Sequence, residues 1–253
     1  MNRSDAFSHP KYVDESSIFL SAQWKHLAML NYEVDPRLLA PFIPSGTELD
    51  TWNGIAFVSL VGFRFLRTKL FGICSIPLHT NFDEVNLRFY VQRREGDEVR
   101  RGVTFIREVV PRRAIAFVAR TFYKENYIAL PMAHDIRALP DQRLAVAYKW
   151  RGGKRWNTIS VETHGTPELP LADSVEQFIT EHYWGYAARP DGGCTEYRVA
   201  HSPWRVWQVR HATFDGDAED IYGKELAAVL RNQPHSAFLA EGSDISVMRG
   251  NRL

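Results

Sequence analysis

The sequence lacks the motifs on which many common functional sites depend. Its two cysteines, Cys74 and Cys194, stand in unrelated contexts without C-x-x-C spacing, which argues against a disulfide framework and a cysteine-based zinc site. Its nine histidines include no H-E-x-x-H motif, and the chain contains no G-x-S-x-G, G-x-x-x-x-G-K or G-x-G-x-x-G. A nucleophilic serine and a phosphate-binding loop are therefore not indicated, and we expect neither a metal ion nor a cofactor.

An excess of charge of either sign is also absent, because 31 lysines and arginines face 30 acidic residues. Bulk charge thus gives no reason to expect nucleic acid or an anionic membrane surface as a partner. No window holds 18 consecutive apolar residues, and the segment Met1–Ser17 is polar, without the apolar core of a signal peptide. We expect a cytoplasmic protein with neither a nucleic-acid nor a membrane partner.

The chain does have ample material for a hydrophobic core. Hydrophobic residues make up 45% of its 253 residues, and aromatic residues make up 13%. No repeat, low-complexity tract or linker divides the sequence, and closed β folds of this length are often one domain. We expect a flexible arm over residues 1–16 and a single domain over residues 17–253.

The densest set of polar and ionisable side chains suited to binding or catalysis begins on a predicted strand near residue 84. Four apolar residues in this strand alternate with Glu84, Asn86, Arg88 and Tyr90. Because successive side chains on a strand point to opposite faces, one face is predicted to enter the core and the other to meet water or a cavity. The strand therefore offers a row of polar groups on one side.

The next predicted strand, residues 103–110, is apolar on both faces apart from Thr104, Arg107 and Glu108. This pattern is typical of a central strand that is covered on both sides and carries charge near its end. Arg107 and Glu108 point to opposite faces, so at most one of them is expected to line a cavity.

A helix is predicted to begin at Pro111, because proline is well placed at the first helical position. Arg112 and Arg113 follow in the first turn, where two added cations are unfavourable by roughly 0.3 to 1 kcal/mol each. An anion is expected to offset them. Glu84 and Glu108 are the candidates within the chain, and a ligand carboxylate or phosphate is the external candidate. The alternative is a solvated arginine pair.

The rest of the chain shows the signals of an antiparallel fold. Asn53 and Gly54 predict a tight hairpin between residues 49–52 and 55–65. Residues 194–201 and 204–211 are expected to pair with each other. Further strands are predicted over residues 24–34, 133–138, 144–150, 155–163 and 237–247, and further helices over residues 37–42, 175–183 and 217–230.

Four stretches of the sequence carry a resemblance to a known family. They read F-L-S-A-Q-W-K-H-L-A-M-L-N-Y-E-V-D-P-R, V-S-L-V-G-F-R-F, F-D-E-V-N-L-R-F-Y-V and R-E-V-V-P-R-R-A-I-A. From about Phe19 to His211 the chain resembles the YqjF-type family of uncharacterised bacterial proteins, which is similar in turn to acetoacetate decarboxylase. The resemblance implies an α+β fold with a large antiparallel, partly closed β structure around a ligand cavity. We expect about four helices, and a cavity position for Glu84.

The chain departs from the decarboxylase pattern where that enzyme carries its reactive lysines. The decarboxylase has an R-E-x-x-G-x-P-K-K-type segment, whereas the matching residues here read R-E-V-V-P-R-R over Arg107–Arg113. The spacer is two residues shorter and both lysines are arginines. A guanidinium stays protonated and cannot supply the free amine that a Schiff base needs. Lys124, in a polar helix end, is the only nearby lysine, so Schiff-base decarboxylation is not expected.

We therefore expect a cavity that binds a small organic anion, with lyase or isomerase chemistry on a keto or hydroxy acid that uses no Schiff-base lysine. Glu84 is the candidate catalytic residue, as a hydrogen-bond acceptor or general base. A non-catalytic sensor or carrier built on the same cavity, and a homo-oligomeric scaffold whose arginines pair with a neighbouring subunit, are the alternatives. The candidate substrate-binding residues are Arg112, Arg113, Asn86, Arg88, Glu108, Tyr123, Tyr127 and Trp184.

An aromatic run in the second half of the chain has two interpretations. It would wall a small-molecule pocket, or it would serve core and cross-strand packing. The residues concerned are His182, Tyr183, Trp184, Tyr186, Trp204 and Trp207.

Overall fold

The computed structural model describes residues 18–71, 80–111, 126–153 and 155–253 of the chain. Most of these residues lie in β-strands. The predicted arm over residues 1–16 and the predicted helix after Pro111 lie outside the described ranges. The strands are β1 (Ile18–Glu33), β2 (Glu48–Leu49), β3 (Phe57–Leu70), β4 (Phe82–Glu95), β5 (Glu98–Val110), β6 (Tyr127–Ala129), β7 (Met132–Ala138), β8 (Leu144–Gly152), β9 (Arg155–Glu168), β10 (Trp184–Ala188), β11 (Cys194–His201), β12 (Val206–Asp215), β13 (Ser236–Ala240), β14 (Asp244–Met248) and β15 (Asn251–Arg252).

The α-helices of the described residues are short. The first is capped by Asp35, whose carboxylate accepts a hydrogen bond from the backbone N–H of Arg37, and a 3₁₀ turn over Ala40–Phe42 follows it. The second is capped by Ser174. The helices are α1 (Pro36–Leu39), α2 (Val175–Thr180), α3 (Glu219–Tyr222) and α4 (Lys224–Leu230).

Seven strands join into a closed ring, which is the central feature of the fold. Most neighbours in the ring are antiparallel, but β10 and β5 run parallel. The ring closes where residues 18–23 of β1 pair with residues 244–248 of β14. The partly closed β structure expected from the sequence is therefore present. In order around the ring, the strands are β1, β3, β4, β5, β10, β11 and β14.

The long strand β1 belongs to the ring and to a second layer at once. Its first part pairs with β14, whereas residues 27–31 pair with β13. Between the two parts His26 adopts a positive φ of 54° and the register with β3 shifts. The turn between β13 and β14 passes so close to β1 that a Cβ at Gly242 would clash with the carbonyl oxygen of Trp24. Only glycine fits this branch point.

The second layer continues from β13 through β12, β9, β8 and β7. The strands predicted over residues 133–138, 144–150 and 155–163 are present as β7, β8 and β9, which pair in this order as an antiparallel meander. The layer packs closely on the outer face of the ring, because a Cβ added at Gly62 of β3 would lie 2.7 Å from the Tyr148 ring on β8. The main apolar core fills this interface, with Leu87 and Phe89 of β4 fully buried in it.

Several sequence predictions differ from the observed elements. Asn53 and Gly54 do form a tight turn, with φ values of 51° and 81°. However, only Trp52 and Ile55 bridge across it, and β2 pairs with β4. The reason is that β1 and β4 already occupy both edges of β3.

The predicted pairing between residues 194–201 and 204–211 is wrong. The first segment, β11, lies in the ring beside β10 and β14, whereas the second, β12, lies in the outer layer between β13 and β9. Pro203 lies between them and has no N–H to extend a ladder. The chain therefore changes layers at this point.

The remaining differences are interruptions in predicted elements. The helix predicted over residues 217–230 is divided at Gly223, whose φ of 81° and ψ of 162° are not helical. The helix predicted over residues 175–183 ends at Thr180. The last predicted strand is two strands, β13 and β14, because the turn at Gly242 separates them.

Candidate functional site

The interior of the ring contains a cavity of about 130 Å³. Its walls come from β1, β3, β4, β5, β6, β10, β11 and β14, and from α2 with the residues that follow it. Most of the lining is apolar or aromatic, which is typical of a small-molecule pocket. The polar residues that line it are Thr68, Glu84, Asn86, Arg88, Glu108, Thr180, His182 and His201.

Strand β4 supplies three of these polar residues through simple alternation. Glu84, Asn86 and Arg88 face the cavity, whereas Leu87 and Phe89 face the outer core. The polar face meets the inside of the ring rather than bulk water, and all three polar side chains are buried. The alternation seen in the sequence therefore places a carboxyl group, an amide and a guanidinium in one row.

Strand β5 places Glu108 beside this row by means of a β-bulge. Leu87 is opposite Arg107, but Arg88 is opposite Phe105, so Ile106 has no partner on β4. Because of this extra residue, each side chain after the bulge points to the opposite side of the sheet from the one that regular alternation would give. Phe105 before the bulge and Glu108 after it consequently both line the cavity. Without the bulge, these two side chains would point to opposite sides of the sheet.

Three neighbouring strands bring polar groups into one cross-strand row. Asn86 on β4 is opposite Glu108 on β5, and Glu108 is opposite Tyr127 on the parallel strand β6. All three line the cavity. Arg107, the neighbour of Glu108, is not among the lining residues. The row brings together residues that are spread over 41 positions of the sequence, from Asn86 to Tyr127.

The Glu84 carboxyl group lies at the centre of a short hydrogen-bond chain. Asn86 Nδ2 donates to Glu84 Oε1 over 3.0 Å, and Tyr127 Oη donates to Oε2 over 3.4 Å. Burial raises the pKa of Glu84 to about 7, although these hydrogen bonds and the charge of Arg88 act in the opposite direction. Glu84 can therefore either give or take a proton near neutral pH.

Arg88 is a buried cation with few partners. Its side chain donates one long hydrogen bond, of 3.4 Å, from Nη2 to the carbonyl oxygen of Ile179. Within the described ranges its Nε has no hydrogen-bond partner, and no carboxylate oxygen lies within 4 Å of the guanidinium. The guanidinium carbon lies 5.7 Å from the centre of the Tyr90 ring. Arg88 thus presents unused donors inside the ring.

His182, just after α2, is held by a carboxylate behind the cavity wall. Its Nε2–H donates to Asp50 Oδ2 over 3.0 Å, and Arg101 Nε donates to the same oxygen over 2.6 Å. The ring is also fixed by aromatic contacts with Tyr90 and Phe178, at centroid distances of 4.7 and 5.1 Å. The histidine is therefore locked in one position.

Both cavity histidines are neutral at neutral pH. Burial lowers the pKa of His182 to about 4, although Asp50 acts in the opposite direction. Burial likewise lowers the pKa of His201 to about 4. His201 Nδ1 donates to the carbonyl oxygen of Ser202 over 2.9 Å, and its ring stacks on Trp204. Each ring thus has one nitrogen that serves as a hydrogen-bond acceptor.

The sequence-predicted site residues fall into two groups. Six of them line the cavity together, and Trp184 among these also packs under the Arg100 guanidinium at 4.6 Å. Arg112, Arg113 and Tyr123 lie outside the described residues, as does Lys124, so their predicted positions stay predictions. The six that line the cavity are Glu84, Asn86, Arg88, Glu108, Tyr127 and Trp184.

Sequence reasoning missed the polar role of His182. In the sequence it is interpreted only as an aromatic ring, in a pocket wall or in packing, because its carboxylate partner, Asp50, lies 132 positions away. The signal available in the sequence was weak, since a lone histidine next to a short helix has no distinctive spacing. His201 was missed because a single histidine at the end of a predicted strand has no distinctive spacing either.

The described part of the chain holds no group of three or more histidine, cysteine, aspartate or glutamate side chains that could bind a metal ion. Cys194 is a buried free thiol. None of the described helices has the length and apolarity to span a membrane.

Comparison with solved structures identifies the fold. Acetoacetate decarboxylase from Legionella pneumophila has a TM-score of 0.67 at 11% sequence identity, covering 98% of this chain and 93% of that one. The enduracididine biosynthesis enzyme MppR in complex with pyruvate has a TM-score of 0.63 at 15% identity, covering 99% and 93%. An acetoacetate decarboxylase-like enzyme from Sphingomonas wittichii has a TM-score of 0.63 at 12% identity, covering 98% and 96%. These similarities confirm the expected decarboxylase-like fold.

Comparison of sequences identifies the family. The uncharacterized protein YqjF of Bacillus subtilis is 27% identical over 216 residues, covering 80% of this chain and 81% of that protein. The family model DUF2071, described as an uncharacterized conserved protein, matches residues 21–244. The match spans almost the whole closed ring and its outer layer. The chain therefore belongs to the DUF2071 family of uncharacterized conserved proteins, with an acetoacetate decarboxylase-like fold.

Proposed function

We propose that the cavity binds a small organic anion through Arg88, and that Glu84 transfers a proton on the bound molecule. The reaction class would be that of a lyase or isomerase acting on a keto or hydroxy acid without a covalent amine. The observation that carries this proposal is the buried guanidinium of Arg88, which has no carboxylate partner among the described residues.

The environment of Arg88 supports an anionic ligand on energetic grounds. A buried charge is costly unless it is paired and hydrogen-bonded. Arg88 is only 7% exposed, and its one hydrogen bond within the described ranges is long. A planar carboxylate would supply both the missing counter-charge and acceptors that match the fork of donors on a guanidinium.

The Glu84 carboxyl group supports proton-transfer chemistry. A general acid or base works best when its pKa lies near the working pH. Burial raises the pKa of Glu84 to about 7, and the group lines the same cavity as Arg88. A carbon acid bound through its carboxylate to Arg88 would therefore lie in the same cavity as the proton acceptor.

The composition of the cavity wall argues against an inherited Schiff base. No lysine is among the lining residues that the structure describes. By the sequence resemblance, the positions that match the decarboxylase lysines are Arg112 and Arg113. Imine formation needs a free amine, which arginine cannot provide. The structural neighbours support a carboxylate ligand more broadly, since one is an acetoacetate decarboxylase and another is described in complex with pyruvate.

The first test is ligand-induced stabilisation of the purified protein. Thermal unfolding would be followed with acetoacetate, pyruvate, lactate, succinate and inorganic phosphate, each over a concentration series. A ligand at 100 times its dissociation constant stabilises the native state by about 2.7 kcal/mol. We expect at least one carboxylate to stabilise the wild type. Failure of every carboxylate would contradict the proposal.

Two arginine variants on the same strand assign the binding group. Arg88→Met removes the charge inside the ring, whereas Arg94→Met removes an exposed guanidinium near the far end of β4. We expect stabilisation by the carboxylate to disappear in Arg88→Met and to persist in Arg94→Met. Equal stabilisation in both variants would overturn the role of Arg88. The double variant Arg112→Ala/Arg113→Ala separately tests the prediction that these two arginines bind the anion, by the same measurement of ligand-induced stabilisation.

A measurement of turnover distinguishes an enzyme from the alternative, a non-catalytic sensor or carrier. The stabilising acid would be incubated with the protein in D₂O, and NMR would follow deuterium incorporation next to the carboxylate and the appearance of products. For an enzyme, we expect exchange or turnover in the wild type and its loss in Glu84→Gln, with binding retained. Binding without any exchange or turnover would identify a sensor or carrier.

A further inference from the structure

The structure assigns a second ligand-recognition group in the cavity, opposite in hydrogen-bonding character to Arg88. This group is Nδ1 of His182. The residue lines the cavity and its side chain is only 1% exposed. Within the described part of the chain, Nδ1 has no hydrogen-bond partner. A buried polar atom without a partner is uncommon and costs free energy that a ligand can recover.

The hydrogen bond on the other ring nitrogen determines what Nδ1 can do. A carboxylate only accepts hydrogen bonds, so Asp50 Oδ2 requires the proton of His182 on Nε2. Nδ1 of the neutral ring is then a lone pair that can only accept. Arg101 shares the same Asp50 oxygen and is placed over the Phe178 ring at 4.9 Å. This arrangement holds Asp50, and through it His182, in place.

Arg88 and His182 line the same part of the cavity wall. Both pack against Tyr90, with the guanidinium carbon 5.7 Å and the imidazole centre 4.7 Å from the centre of its ring. Arg88 also donates to the carbonyl oxygen of Ile179, a residue of α2 three positions before His182. This wall therefore offers a ligand both a donor, Arg88, and an acceptor, His182.

We infer that the ligand is a hydroxylated organic acid, whose carboxylate binds Arg88 and whose hydroxyl group donates to His182 Nδ1. This inference rests on the proposed function and narrows its substrate class. A keto acid offers only acceptors, so its carbonyl oxygen would face the lone pair of Nδ1 without a proton between them. A deoxy acid would leave Nδ1 buried and without a partner.

The inference is tested with two series of acids. Within each series, the carbon next to the carboxylate carries a hydroxyl group, only hydrogen, or a keto oxygen. The three-carbon series is lactate, propionate and pyruvate, and the aromatic series is mandelate, phenylacetate and phenylglyoxylate, with both enantiomers of each hydroxy acid. Dissociation constants would be measured by calorimetry at pH 7, where all six acids are ionised. We expect one hydroxy acid to bind roughly 5- to 100-fold more tightly than its deoxy and keto counterparts.

The variant His182→Phe keeps an aromatic ring and removes the acceptor. We expect the preference for the hydroxy acid to disappear in this variant, while the affinity for the deoxy acid stays within about twofold of the wild-type value. A preference that persists in His182→Phe would overturn the assignment of His182. The wild-type comparison requires no variant, so the inference remains testable if His182→Phe does not fold.

The outcomes separate this inference from the proposed function. Binding that needs Arg88 but shows no preference for hydroxy acids would overturn the inference and leave the proposed function intact. Failure of all six acids, together with the carboxylates tested above, would overturn both.

Discussion

The two faces of strand β4 are both buried but differ in polarity. The outer face places Leu87 and Phe89 in the core between the ring and the second layer. The inner face places Glu84, Asn86 and Arg88 around the cavity. Burial alone therefore does not indicate what a residue contributes. The outer face gains free energy from contact with apolar neighbours, whereas the inner face keeps polar groups that are costly to enclose.

The comparison indicates that the two faces of one strand have different roles, one in stability and the other at the cavity. Polar groups buried with incomplete hydrogen bonding are retained at functional sites more often than elsewhere. We expect a substitution in the outer core to lower the free energy of unfolding by more than a substitution of a polar residue that lines the cavity. The three predictions below test this difference, beginning with the largest effect.

The first prediction concerns Leu87→Ala on the outer face. The substitution removes buried methyl groups and leaves a cavity in a close-packed core, so we expect the free energy of unfolding to fall by about 2 to 5 kcal/mol. Urea denaturation measures the change. The control is the same substitution at Leu171, which is 80% exposed, where we expect a change within about 0.5 kcal/mol. A similar loss of unfolding free energy in Leu87→Ala and Leu171→Ala would contradict the role assigned to the outer face.

The second prediction concerns Glu84→Gln on the inner face and its dependence on pH. The pKa of Glu84 is about 7 in the folded protein and 4.5 as the reference for the unfolded chain. Between these values the folded state binds more protons at Glu84, so the contribution of this group to stability is full below pH 4.5 and is lost as the pH rises through 7. The loss is on the order of 1 to 3 kcal/mol.

Glutamine can accept from Asn86 Nδ2 through its amide oxygen and donate to Tyr127 Oη through its amide nitrogen, and it does not titrate. This part of the pH dependence should therefore vanish in Glu84→Gln. Urea denaturation at pH values from 4.5 to 8 measures it. The control is Glu225→Gln at an exposed position on α4, which should keep the wild-type profile. A profile that is unchanged in Glu84→Gln would contradict the assigned pKa.

The third prediction has the smallest expected effect and concerns Thr68→Val. The Thr68 hydroxyl lines the cavity, is buried, and has no hydrogen-bond partner within the described residues. Replacing an unpaired buried hydroxyl with a methyl group of similar shape is expected to be neutral or stabilising, by up to about 1 kcal/mol. Thermal unfolding without ligand measures it. Destabilisation by more than about 1 kcal/mol would mean that this hydroxyl stabilises the fold.

The sequence was sufficient to predict the features that depend on local periodicity. The alternation around Glu84 and Asn86 placed these residues on one polar face, and the structure places that face inside the ring. The Asn53-Gly54 turn and the cap of α1 at Asp35 were predictable for the same reason, since both depend on the backbone preferences of neighbouring residues.

Features that depend on distant residues could not be predicted. The bulge at Ile106 changes which residues of β5 face inward, and nothing in the local sequence distinguishes a bulge from regular alternation. The bond between His182 and Asp50 joins residues 132 positions apart. The mistaken pairing of β11 with β12 has the same origin, because adjacency in the sequence is only a weak guide to adjacency in a closed ring.

The closure of the ring between residues 18–23 and residues 244–248 has a consequence for how the protein is made. Strands β3, β4 and β5 can pair while the chain is still being synthesised, since each follows the previous one in the sequence. The ring itself cannot close until β14 has left the ribosome, more than 220 residues after its partner. Contacts of such sequence separation form late in folding. The enclosed site therefore does not exist in any nascent chain that is still short of β14.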